Sequence, residues 1–195
     1  MSETKVVTGK VRLCYVNVFQ PAKFDGDDGD GKYSVCVMVD KKDAKTLGKI
    51  KTAIAAAMEE GITSKWGGKK PGNLKMPLRD GDAERAEEQP EFAGKYFFNA
   101  NSKLKPGIVD RDKNEILDTT EVYSGIYGRV SVNFYPYNWN GTKGIAVGLN
   151  HVQKLTDGEP LGGSRSTAEA DFDDDFEDEE LDDFEDEELD DILGI

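Results

Sequence analysis

The chain is poor in the residues on which most enzyme chemistry is built. Its 195 residues include one histidine, His151, and two cysteines, Cys14 and Cys36. A histidine-centred triad is therefore thinly supplied. Neither cysteine has a C-x-x-C partner, which excludes a zinc site or a disulfide framework. Both lie in apolar runs and read as reduced, partly buried thiols of a cytoplasmic protein. No apolar run approaches the roughly 20 residues of a membrane span. The opening stretch MSETKVVTGK has no apolar signal region. There is no Walker loop, no G-x-S-x-G, and neither GKVR nor GGKKPG has phosphate-loop spacing. These absences lead to an expectation of no enzyme, no cofactor and no membrane partner.

Acid is abundant, and it is unevenly placed. The formal net charge is −14, but residues 166–195 carry 17 Asp/Glu and no Lys or Arg. The first 165 residues hold 22 acids against 25 bases, a net of +3. The chain is a mildly basic body with a strongly acidic tail. Within the tail FEDEELDD occurs at 176–183 and again at 184–191. Like charge at this density opposes compaction, so the tail is expected to be disordered. The expected organisation is a body over 1–155, a flexible linker over 156–170 and the tail over 171–195.

The periodicity of the body is mostly that of strands. Residues 5–19 are rich in β-branched and aromatic types, and 32–40 place Tyr33, Val35, Val37 and Val39 on one face. The loop DGDDGDG at 25–31 joins them as a hairpin, and it fails the register of a calcium loop. A helix is expected over 43–60, capped by Asp43 and stopped by Gly61. Residues 61–92 are irregular, and a connection this long is usually functional or disordered. Strands resume at 95–102. Hairpins follow at 107–118, around DRDKN, and at 126–137 with 143–152, around NWNGT. A small antiparallel barrel with one inserted helix closes its own edges; a flat α+β sandwich is the alternative.

Three strands present cations and aromatics on one face. Arg129, Tyr135, Tyr137 and Trp139 alternate with the core face Gly128, Val130, Val132, Phe134 and Pro136. Lys95, Phe97, Asn99 and Lys103 alternate in the same way, with Lys105 just beyond, and either Phe97 or Phe98 is the outward ring. Lys10 and Arg12 share a face of the first strand. The irregular segment adds Lys65, Trp66, Lys69 and Lys70. Rings stack on bases at roughly 1–3 kcal/mol each without regard to sequence, while cations meet phosphates. The rival readings are a metal-dependent nuclease using Asp80, Asp82 and Glu84, and an acidic-tail chaperone for basic proteins.

The combination of PLRDGD (77–82), PEFAGKYFFNANSK (90–103), VYSGIYGRVSVNFYPY (122–137) and KGIAVGLNHVQKLTDGEPLGG (143–163) resembles bacteriophage single-stranded-DNA-binding proteins. The resemblance spans roughly residues 5–163. It implies a mainly β chain with an OB-fold-like barrel that coats ssDNA in phage replication, recombination or repair, in the host cytoplasm. It also implies DNA contacts from the Lys and aromatic members of KYFFNANSK and the Arg and Tyr members of YGRVSVNFYPY. The tail is similar to those that compete for the DNA groove and recruit replication proteins such as a polymerase, helicase or primase. Its end, Asp190, Asp191, Ile192, Leu193, Gly194 and Ile195, lacks the terminal Phe of such tails. Oligomeric state is left open, a homo-oligomer included.

Overall fold

In the computed structural model, which describes residues 3–23 and 29–161, the first apolar run is broken in two. Strand β1 is Lys5–Val7 and β2 is Val11–Ala22. Thr8 and Gly9 make the break. The Thr8 hydroxyl accepts the Val130 N–H at 3.1 Å, and the Gly9 N–H donates to the Thr46 hydroxyl at 3.0 Å. The remaining strands are β3 (Lys32–Asp40), β4 (Arg79–Asp80), β5 (Lys95–Ser102), β6 (Gly107–Val109), β7 (Tyr127–Trp139) and β8 (Thr142–Thr156).

Five strands close a ring in the order β2–β3–β5–β8–β7 and back to β2. This is the topology of an OB-type barrel. Every seam is antiparallel except β5 with β8, which run parallel at Asn101 and Gly148. The short edge strands β1 and β6 extend the β7–β8 hairpin on its two sides. The expected 107–118 hairpin is a strand on one arm only. Ile116 returns to bond Ile108, but β6 takes its ladder from β8.

Helix α1 covers Ala44–Ser64, four residues beyond the expected end. Asp43 caps it by accepting the Thr46 N–H at 3.0 Å. Gly61 does not stop the helix; it is buried in the last turns, where the Trp66 ring lies against it. The apolar stripe Leu47, Ile50, Ala53, Ile54 and Ala57 joins Val35, Val37, Phe98, Val132, Phe134 and Val147 in one core.

A second apolar cluster lies outside the barrel wall. Cys14, Cys36, Met38, Phe92 and Phe97 pack together, with Leu161 against them. Segment 79–94 covers this cluster, with one-turn helix α2 (Gly81–Glu84) and a 3₁₀ turn at Pro90–Phe92. Both thiols are buried and free. Residues 156–161, expected to begin a linker, are held against the barrel. Arg12 donates to the Glu159 carbonyl at 2.8 Å, and the Leu161 N–H donates to the Ser124 carbonyl at 2.8 Å. The rest of the expected linker and the whole acidic tail lie outside the described residues.

Candidate nucleic-acid interface

In OB barrels, oligonucleotides meet the face of the second and third ring strands and the two loops beside it. Those strands are β3 and β5 here. The loops are the β2–β3 connection and the β7–β8 turn. Between them lies a cleft of about 740 Å³, lined by Gly29, Asp30, Gly31, Lys32, Lys103 and Trp139.

Local chemistry explains each position. The β7–β8 turn has two residues, Asn140 and Gly141, at φ 47° and 82°. Asn-Gly tolerates these left-handed values, and the resulting tight turn matches the strand twist. Trp139 is thereby fixed as the last residue of β7, opposite Thr142, and is 74% exposed. Tyr135 lies four residues back on the same face, 40% exposed. Lys32 opens β3, and Lys103 follows the last residue of β5. On the face itself, Asn17 donates to the Ser34 hydroxyl at 3.5 Å, Ser34 pairs with Asn101, and exposed Asn99 pairs with Cys36. This gives polar edges without fixed charge near the cleft.

Further cations approach the same turn from the α1 side. The Asn138 amide donates to the Lys65 carbonyl at 3.4 Å. The Lys75 N–H donates to the Lys143 carbonyl at 3.0 Å, and Lys143 pairs with Asn138. Lys69 and Lys70 are exposed in the intervening segment. Lys105 lies 5.9 Å from the Phe19 ring.

The other expected contacts are placed elsewhere. Phe97 is 1% exposed, because the 79–94 cover seals the outer side of β5. Phe92 meets its ring edge-on at 5.1 Å, and the Arg79 and Arg85 guanidinium groups lie over it at 5.0 and 5.6 Å. Phe98 is buried on the inner side, so neither ring of the pair is open. Trp66 is 5% exposed and ties α1 to β7, donating its indole N–H to the Tyr137 carbonyl at 3.1 Å. Tyr137 is half-buried beside Gly144. Lys95 pairs with Asp40 at 4.0 Å, at the end of β5 away from Lys103.

Lys10, Arg12 and Arg129 form a separate group. Arg129 lies near the start of β7, ten residues from Trp139, about 33 Å along the strand at ~3.3 Å per residue. Lys10 and Arg12 lie over the Tyr127 ring at 5.0 and 5.4 Å. Arg129 donates through Nε to the Thr8 carbonyl at 3.0 Å. The two groups of cations thus stand at opposite ends of β7.

Two residues of this surface, and one exposed ring beside the 79–94 cover, escaped the sequence reading. Lys32 could have been found by extending the β3 alternation outward from Ser34. Lys143 follows from pairing across the Asn-Gly turn. Tyr15 gave no signal. It sits in a bulge of β2 at φ 48°, 51% exposed, with its hydroxyl held by the Gln89 amide at 2.6 Å.

Asp80, Asp82 and Glu84 are engaged structurally. The Lys41 ammonium donates to Asp80 and Asp82, both at 2.7 Å. Asp80 also accepts the Asp82 N–H, Asp82 accepts the Gly94 N–H, and Glu84 pairs with Arg79. Lys41 holds both aspartates below the usual carboxylate range, and they hold its ammonium above the usual lysine value. Among the described residues, no group of three or more His, Cys, Asp or Glu side chains is arranged to hold a metal ion.

Comparison with known proteins places this geometry. Residues 4–184 match the family described as the ssDNA-binding protein of Enterobacter phage Enc34. A relative from Acyrthosiphon pisum secondary endosymbiont phage 1, "Putative protein p50", is 30% identical over 180 residues, covering 87% of this chain and 93% of that protein. The bacteriophage Enc34 ssDNA-binding protein solved with ssDNA superposes at TM-score 0.69 and 24% identity, covering 82% of this chain and 90% of that one. The bacteriophage T7 protein gp2.5, also an ssDNA-binding protein, superposes at TM-score 0.57 and 18% identity, covering 82% and 95%. The chain therefore belongs to the Enc34 phage ssDNA-binding protein family.

Proposed function

We propose that this chain binds single-stranded DNA without sequence preference, seating it in the cleft between Lys32, Lys103 and Trp139. The observation that carries the reading is Trp139. A largely exposed indole stands at the rim of an open, lysine-flanked cleft where OB barrels take oligonucleotides. Its ring offers a platform to any base, and the lysines offer charge to any phosphate. Tyr135 and Asn99 extend the surface along β7 and β5. Duplex DNA should bind more weakly, because its bases are already stacked. No step of bond making is part of this reading.

The acidic tail supplies the second half of the proposal. Residues 166–195 act as a tethered competitor for the basic surface, with Phe172, Phe176 and Phe184 standing in for bases. The tip, Asp190 to Ile195, then recruits replication proteins once DNA has displaced the tail. This places the protein in phage DNA replication, recombination or repair in the bacterial cytoplasm.

The test is fluorescence anisotropy of labelled oligo-dT at several salt concentrations. If about five phosphates are neutralised, the log–log salt slope is roughly −3.5. Trp139 fluorescence should be quenched on binding. Absence of binding at low salt overturns the reading.

A further inference from the structure

The outward face of β7 continues past its aromatic tip to a second pocket. Ser131 lies eight residues from Trp139, about 26 Å along the strand at ~3.3 Å per residue. A cavity of about 190 Å³ opens beside it, rimmed by Arg129, Lys113, His151 and Gln153 and walled by valines. None of its lining residues is acidic.

The polar groups of this pocket are mostly donors that lack an acceptor. Ser131 Oγ is buried and has no hydrogen-bond partner. Arg129 uses Nε on the Thr8 carbonyl, and its terminal nitrogens have no partner among the described residues. Lys113 is exposed on the Asp110–Asn114 turn at φ 70°, and its ammonium is in no ion pair among the described residues. The nearby Asp110 carboxylate is already occupied by the N–H groups of Asp112 and Asn114, both at 2.9 Å. His151 accepts the Gly107 N–H on Nδ1 at 3.2 Å, which puts its own proton on Nε2. A hydroxyl, a guanidinium, an ammonium and an imidazole N–H around one small cavity match an anion with several oxygens.

We propose that this pocket takes a backbone phosphate of the same ssDNA strand whose bases meet Trp139. The inference rests on the ssDNA reading and lengthens its path. The part of the lane nearer the pocket is lined by small residues on β8. Gly148 and Ala146 stand opposite Asn133 and Tyr135 and raise little bulk. The separation suits the roughly 4–16 nucleotides that one OB barrel engages. Short strands reach only the Trp139 end; longer strands reach both.

The experiment compares dT3 and dT25 on the full chain, Ser131→Ala and Lys113→Ala, with Trp139 quenching as the readout for the tip. Both variants should bind dT25 about three- to ten-fold more weakly and dT3, which is too short to span the two places, like the parent. Lys113→Ala should also reduce the dT25 salt slope by about 0.7, the loss of one phosphate contact. Ser131→Ala should keep or raise the melting temperature, since it removes a hydroxyl that has no partner in the free protein. Parental affinity of both variants for dT25, or equal losses on dT3, overturns the pocket while leaving ssDNA binding intact. No binding of either oligonucleotide by the parent chain overturns both.

Discussion

An indole left 74% exposed at the end of a strand forgoes the burial that normally holds a tryptophan. Trp139→Ala should therefore cost little stability. It should weaken oligo-dT binding by about 1–3 kcal/mol, the worth of one stacked base, read by anisotropy. Trp66 is the opposite case. Its ring fills the space that a side chain at position 61 would need, with ring carbons 2.6–2.7 Å from where a Cβ would stand. Gly61→Ala should destabilise the fold by about 1–3 kcal/mol, seen as a lower melting temperature, because a buried indole and its hydrogen bond must shift. Both tryptophans neighbour polar residues in sequence, Lys65 beside Trp66 and Asn138 and Asn140 beside Trp139, so local composition did not separate them. Phe97 makes the same point. Its alternation with Lys95 and Asn99 was legible, but the 79–94 cover that buries it was not.

At the scale of elements, that cover is the part least visible in sequence. Gly and Pro interrupt residues 61–92, and the chain there has no period of its own. Its order comes from pins supplied by distant residues: Lys41 on Asp80 and Asp82, and Gln89 on Tyr15. One hint existed. Val35–Val39 is apolar at five consecutive positions, all buried, which a strand with one face in water would not need. The pins have a pH signature. Asp80 and Asp82 have folded pKa values below the unfolded value of about 3.9. Their contribution is full above that value and is lost as pH falls through the lower folded one. Urea denaturation between pH 7 and pH 2 should show this acid loss in the parent and a flatter acid limb in Lys41→Met. In the parent, Lys41 adds a basic limb, present below about pH 10.4 and lost as pH rises through its higher folded value.

For the whole molecule, the governing quantity is charge separation between body and tail. A chain of net charge −14 is a poor ligand for DNA unless its charges are segregated. Deleting residues 166–195 should tighten oligo-dT binding at low salt. The difference should shrink as salt rises and the Debye length falls to ~8 Å at physiological strength. Equal affinities of the full and shortened chains at low salt would remove the tail as competitor. Alternation along β7, the cap at Asp43, the Asn-Gly turn and the acidic repeat are local properties, and the sequence alone determined them. They are fixed by bonding partners within a few residues or by charge density along the chain. Tertiary structure decided that β1 leaves β2 for β7, that β5 and β8 close the barrel in parallel, and that Phe97 and Trp66 turn inward. It also decided that Lys32, Lys103 and Trp139 meet at one rim. These outcomes depend on which surfaces remain uncovered after the barrel closes, and no local window of sequence contains that information.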